Sequence, residues 1–189
     1  MERADEHHQP GLFHGTLVVE LGSGVHCLAG LSAALLGARA VLCTDVADAM
    51  TLLQENVRLN QWAHTGLSVS AMVLDWRQPL PALFSKAVSH DTNKAGSPTC
   101  VDWVVAADVV WITDLIPPFV ETVKRLLFNG DCRTRMLLAH QSRSLRTDNE
   151  LKASLLLSPR PVSMTAMPRT HYHPEFPSSR IIVYELAPS

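Results

Sequence analysis

From Thr16 to Leu186 the chain alternates short apolar runs with longer stretches in which apolar residues recur every three or four positions. Short continuous runs suit strands covered on both faces, and the longer pattern suits helices that pack one side on a sheet. The runs predict strands at Thr16–Leu21, Ala40–Asp45, Leu67–Leu74, Asp102–Ala107 and Arg135–Ala139. Two more follow at about Pro161–Met167 and Arg180–Leu186. The first predicted helix carries the stripe Leu28, Leu31, Leu35, with Ala29, Ala33 and Ala34 allowing close packing and Gly37 as its end. The second, about Ala47–Leu59, puts Met50, Leu53 and Val57 on one face and stops at Asn60. The third has Asp114 as its cap, takes Pro117 and Pro118 into its first turn, and runs through Leu127 to Asn129-Gly130. A short helix at Asp148–Leu157 completes the set.

Regular alternation implies right-handed crossovers and a mostly parallel α/β sheet, with an antiparallel pair closing the chain. Residues 1–15 read as a loose polar arm, and Arg77–Thr99, rich in Pro, Ser, Lys, His and Asn, as a variable loop with a helical turn or two near Leu80–Val88. A length of 189 residues fits one domain.

Composition narrows the function classes. The chain is 47% hydrophobic and 18% charged, which fits a folded domain. A net charge of −2 gives no general attraction to nucleic acid or to an anionic membrane. No apolar run reaches the ~20 residues of a membrane span, and residues 1–15 lack the apolar centre of a signal peptide. The cysteines Cys27, Cys43, Cys100 and Cys132 form no C-x-x-C pair and read as reduced, buried thiols of an intracellular protein, cytoplasmic or nuclear. None of the nine histidines has metal-ligand spacing on a helix, so no metal site is expected.

Ligands of parallel sheets bind beyond the carboxyl ends of the strands. Four consecutive strand ends carry polar or conformationally special residues: Gly22-Ser23-Gly24, Asp45, Asp75-Trp76 and Ala107-Asp108. A glycine turn between strand and helix gathers backbone N–H groups at one point. Asp45, about 20 residues further on, stands where an acid accepts both hydroxyls of a ribose. NAD and S-adenosylmethionine share that requirement. A dinucleotide site wants a third glycine where this chain has Cys27. Glu20, just ahead of the turn, would repel a pyrophosphate but suits a cofactor with an ammonium and a sulfonium. Asp75-Trp76 offers a polar contact and an aromatic wall for adenine. S-adenosylmethionine is the expected cofactor.

The combination Glu20-Leu-Gly-Ser-Gly, Thr44-Asp45, Leu74-Asp75-Trp76 and Ala106-Ala107-Asp108-Val-Val-Trp111 resembles the motifs of the seven-strand methyltransferases of family 16, which include protein-lysine methyltransferases. Leu115–Phe119, Leu137–Ser144 and Ile181–Leu186 are similar to that family as well. The resemblance implies a Rossmann-like seven-strand sheet, mostly parallel with an antiparallel C-terminal strand. It implies that Gly22, Ser23 and Gly24 contact the methionine end and ribose, that Asp45 holds the ribose, that Asp75 and Trp76 border adenine, and that Ala107 lines the pocket. Asp108 and Trp111 would be the catalytic pair of an Asp-x-x-aromatic motif at the substrate mouth. The family usually has Gly where His26 stands, a loop shorter than Val25-His26-Cys27, and Tyr or Phe where Trp111 stands. It also carries an N-terminal helical lid with a tryptophan, which is expected to be missing here because residues 1–15 contain no Trp.

The expected activity is S-adenosylmethionine-dependent methylation of a lysine on a protein substrate. Two rival readings fit the sequence less well. Nucleic-acid N-methyltransferases carry Asn/Asp-Pro-Pro-aromatic after strand four, where this chain has Asp-Val-Val-Trp, and Pro117-Pro118 falls too late. A non-catalytic interaction module, or a truncated form without activity, would keep the sheet and lose the lid. Neither the substrate protein nor an oligomeric state is written in the sequence.

Overall fold

Predominantly apolar strands can be buried on both faces, and β1 (Leu17–Leu21), with Glu20 as its one charged residue, is buried along its whole length. In the computed structural model, which describes residues 11–63, 66–81, 100–157, 159–175 and 179–189, β1 lies in the interior of a seven-stranded sheet. The other strands are β2 (Ala40–Asp45), β3 (Val69–Val73), β4 (Trp103–Ala107), β5 (Arg135–Gln141), β6 (Val162–Ala166) and β7 (Ile181–Pro188), in the order β3-β2-β1-β4-β5-β7-β6. The pairs among β1 to β5 are parallel, and β7 runs antiparallel to both β5 and β6. The predicted sheet is therefore the one found, with a single strand reversed. The expectations for residues 1–10 and 82–99 lie outside the described residues.

Two apolar layers flank the sheet, and the period of two along β1 sorts its residues between them. Leu17, Val19 and Leu21 face one layer with Phe119, Val123 and Leu151. Val18 faces the other with Leu31, Ala33, Met50, Leu53 and Val57. The first layer is closed by α3 (Ile116–Leu127) and α4 (Leu145–Leu156), the second by α1 (Leu28–Leu35) and α2 (Met50–Ala63).

Several boundaries differ from expectation for local reasons. Helix α1 does not bury the leucine stripe: Leu28 and Leu35 are 71% and 60% exposed, and the buried face is Gly30, Leu31, Ala33 and Ala34. Small residues win there because the helix lies close against β1 and β2. Helix α2 is preceded by a 3₁₀ turn at Ala47–Ala49 and continues past Asn60 to Ala63. Asp114 lies in a 3₁₀ turn, Thr113–Leu115, and does not cap α3, whose first positions are taken by Pro117 and Pro118. Helix α4 begins earlier than Asp148, because Ser144 caps it by accepting the Thr147 N–H.

Two further expectations are corrected. Cys100 and Cys132 are joined in a disulfide, and only Cys27 and Cys43 are free and buried. The spacing of these cysteines hid the pairing, which the parallel register of β4 and β5 brings about by aligning the segments that lead into both strands. The end of the supposed loose arm is docked: Phe13 is buried edge-on against Trp103 at 6.0 Å, and the Gly15 N–H donates to the Gly37 carbonyl at 2.8 Å.

Candidate active site

The strand order reverses direction at β1, which has β2 on one side and β4 on the other. Such a switch point leaves a crevice at the carboxyl ends of the strands. A cavity of about 300 Å³ opens there. Its lining comes from the segments after β1 (Gly22, Gly24), β2 (Asp45, Val46), β3 (Leu74–Arg77) and β4 (Ala107–Val109, Trp111), closed by Leu115 and Pro118 at the start of α3. All four predicted strand ends thus meet at one hole.

The glycine turn is shaped by backbone conformation. Gly22 and Gly24 have φ of 67° and 58°, in the left-handed region that favours glycine. A Cβ on Gly22 would lie 2.6 Å from Val109 Cγ1, so the residue also permits close approach of the β4 loop. At Gly24 a Cβ would meet nothing within 4 Å, so its backbone faces open space. Ser23 does not line the cavity. It ties the turn to β2, donating its N–H to the Thr44 carbonyl and accepting the Thr44 N–H on Oγ, both at 3.0 Å. The longer loop is accommodated by Cys27, whose φ of 44° turns the chain into α1 with its side chain fully buried. Asn56 Nδ2 fastens the loop by donating to the Val25 carbonyl at 2.6 Å.

Asp45 is held at the cavity wall by two backbone amides: Gly24 N–H reaches Oδ2 and Val46 N–H reaches Oδ1, each at 2.7 Å. Both bonds orient the carboxylate, and each oxygen keeps a further lone pair. Asp75 Oδ1 accepts the Arg77 N–H at 3.0 Å, fixing the turn that presents Trp76. Trp76 packs edge-on against Phe119 at 5.1 Å, and its Nε1 is buried with no hydrogen-bond partner among the described residues.

Glu20 is placed differently from expectation. It is 4% exposed and faces the layer of α1 rather than the cavity. Its Oε1 accepts the Ala29 N–H at 3.2 Å near the start of α1, while Oε2 has no partner among the described residues. Burial pushes its pKa up, against hydrogen bonds that pull it down. The hydrogen bond with Cys27, burial and the nearby Glu20 together push the Cys43 thiol up. Glu20 and Ser23 thus shape the turn from behind, and neither reaches the cavity.

At the mouth, Asp108 has φ of 54°, in the left-handed region uncommon for a non-glycine residue, and donates its N–H to the Ala139 carbonyl at 2.9 Å. Its carboxylate pairs with Arg143, which follows the end of β5. Trp111 is 58% exposed beside it. From the sequence, Arg143 is expected to open a strand-end loop, Arg143–Asn149, of the kind that chooses the substrate, but no individual role is expected for it. The signal was present, since it lies in the Leu137–Ser144 segment just past a strand end. Among the described residues no three side chains cluster as metal ligands. No helix of the described residues is long and apolar enough to cross a membrane.

Comparison with solved structures shows that this fold is shared with methyltransferases. The chain superposes on the METTL16 methyltransferase domain with a TM-score of 0.58 and 17% identity, covering 97% of this chain and 62% of that one. It superposes on a ribosomal protein L11 methylase from Lactobacillus delbrueckii subsp. bulgaricus with a TM-score of 0.54 and 16% identity, covering 94% and 72%. Residues 1–153 match the family model described as lysine methyltransferase, and the chain belongs to that family. It is 32% identical over 161 residues to the protein N-lysine methyltransferase METTL21A of Mus musculus, covering 85% of this chain and 62% of the relative. It is 32% identical over 121 residues to a calmodulin-lysine N-methyltransferase of Arabidopsis thaliana, covering 63% and 35%. The matches thus span less than two thirds of either relative's length.

Proposed function

We propose that this chain is an S-adenosylmethionine-dependent methyltransferase acting on a lysine side chain of a protein. The observation that carries the reading is the gathering of Gly22, Gly24, Asp45, Trp76, Asp108 and Trp111 around one cavity. The donor set fits the cofactor. Among the described residues the lining carries three carboxylates, Asp45, Asp75 and Asp108, and one cation, Arg77; with Arg143 paired to Asp108, acids still outnumber cations, an environment that favours a ligand bearing positive charge. The oriented Asp45 carboxylate suits a ribose diol. The open backbone at Gly24 admits a polar ligand end, and Trp76 supplies an apolar face for a heterocycle.

When bound, S-adenosylmethionine supplies an electrophilic methyl group: the amine lone pair forms the N–C bond as the C–S bond breaks and its electron pair stays on sulfur. The protein's share is positioning and exclusion of water. A lysine must arrive as, or become, the neutral amine, because an ammonium has no lone pair. Asp108, half-exposed at the mouth, accepts a hydrogen bond from that amine and passes its proton towards solvent. Trp111 packs along the lysine stem and attracts its charge on approach. A protein acceptor also accords with a net charge of −2, which gives no general attraction to a phosphate backbone.

The test is calorimetry with S-adenosylmethionine, followed by transfer of tritiated methyl groups to a cell extract. Saturable binding, label on protein that survives nuclease, methyl-lysine after hydrolysis, and loss of labelling in Asp108→Ala with binding retained are expected. Label released by nuclease, or absence of cofactor binding at millimolar concentration, would overturn the reading.

A further inference from the structure

We infer that Arg143 is the positioning residue for Asp108, setting which carboxylate oxygen faces the methyl acceptor; this rests on the methyltransferase reading above. Arg143 Nη2 donates to Asp108 Oδ2 at 2.5 Å, across neighbouring strand ends. Among the described residues Oδ1 of Asp108 takes no hydrogen bond, so a single-point pairing leaves one oxygen for the substrate. A half-exposed aspartate without a partner would rotate freely about its side-chain bonds. The guanidinium removes that freedom and keeps the acceptor oxygen aimed.

The arginine is itself anchored from both sides. On its N-terminal side, Ser142 Oγ donates to Asp148 Oδ2 at 2.5 Å, and His140 Nε2 meets Asp148 Oδ1 at 2.8 Å. Burial pushes the Asp148 carboxyl up, but the bonds from His140 and Ser142 outweigh it and hold it low. On its C-terminal side, Ser144 caps α4. The peptide bearing Arg143 is therefore fixed between β5 and α4 before its side chain reaches across to β4. The opposite end is fixed as well, since the Asp108 N–H is bonded to β5 at Ala139. Two rigid supports carry one ion pair between them, as a preorganised site requires.

Energetics separate this role from a merely structural one. Both side chains are nearly half exposed, at 47% and 46%, and a pair so open to solvent adds little to stability. Losing Arg143 should thus leave folding intact while disordering Asp108.

The experiment measures tritiated methyl incorporation into protein of a cell extract, against S-adenosylmethionine concentration, for the full chain. Arg143→Met should lower the maximal rate at least about tenfold, the size of effect expected when a reacting group loses its fixed orientation. The cofactor KM and the Tm should stay at wild-type values. Arg143→Lys should recover part of the rate, and Arg146→Met, which removes a nearby exposed charge, should change nothing. In an Asp108→Asn background, Arg143→Met should cost much less than alone, because the two act as one unit. A rate within twofold of wild type, a raised rate, full additivity with Asp108→Asn, or a fall in Tm matching the fall in rate would each overturn the assignment. Wild-type protein that labels nothing overturns the methyltransferase reading and this one with it. Wild-type labelling with an unaffected Arg143→Met overturns only the role of Arg143.

Discussion

Gly30 is the third glycine of the stretch that runs from β1 into α1, and replacing it with alanine tests why that helix lies so close to the sheet. On helix propensity alone, Ala at an interior position is better than Gly by about 1 kcal/mol. Packing reverses the sign. A Cβ on Gly30 would lie 2.7 Å from Cys43 Sγ, 2.7 Å from Glu20 Oε2 and 3.2 Å from Val41 Cγ1. Cys43 and Glu20 are 0% and 4% exposed in the middle of β2 and β1, so neither side chain can swing into solvent. Overpacking a filled site costs about 1–3 kcal/mol, and two simultaneous clashes put this one at the upper end. Subtracting the propensity gain leaves a net destabilisation of about 2 kcal/mol, or about 4–8 °C in Tm for a chain of this size. Thermal and urea unfolding of Gly30→Ala would measure it. Ser32→Ala, on the exposed face of the same helix, should stay within about 0.5 kcal/mol of wild type. Adding Cys43→Ala to Gly30→Ala removes one clash, so the double variant should lose less than the sum of the singles. A Gly30→Ala protein that melts at or above wild type would refute the packing argument, as would simple additivity in the double variant.

Glu20→Gln should stabilise the protein increasingly as pH rises. Burial lifts the folded pKa of Glu20 above its unfolded value, so its favourable contribution is complete below the unfolded pKa and is lost as pH climbs through the folded one. Glutamine cannot ionise and escapes that loss; a stability difference that does not change between pH 4 and 8 would contradict this. Replacing Cys100 and Cys132 together with Ser should cost about 3–4 kcal/mol on the loop-closure argument for a sequence separation of 32, and lower Tm accordingly, whereas no shift would show the bridge to be idle. Trp111→Ala should leave unfolding within about 0.5 kcal/mol because the side chain is exposed. It should still slow transfer to protein about tenfold, taking a cation–π contact of about 1–2 kcal/mol, and unchanged transfer would remove Trp111 from the site.

The apolar runs made the sheet legible, since each strand buried on both faces announces itself as an unbroken stretch. Polar residues at four strand ends made the cavity legible, because a parallel sheet delivers those ends to one side. Period alone misjudged α1: Leu28 and Leu35 looked like a buried stripe, yet the close approach demanded by Gly30 turned the alanines inward. It also misjudged Glu20, whose place two residues before Gly22 hid that a side chain of that parity points away from the cavity. The Cys100–Cys132 bridge and the Asp108–Arg143 pair depend on which strands are neighbours, and neither spacing nor composition carries that information.

The order of the last two strands has a consequence for how the chain reaches this structure during synthesis. β6 is made before β7, yet among the described residues its only ladder is with β7, which lies between it and β5. Until Ile181–Pro188 has left the ribosome, β5 therefore presents a bare edge and β6 has nothing to join. Parallel β1 to β5 can assemble first, and the final hairpin then docks as one unit onto the waiting edge. A nascent chain stalled after residue 166 would hold every strand of this sheet but β7 and be open along one side, and that is the stage at which a strand from another copy could take the vacant position.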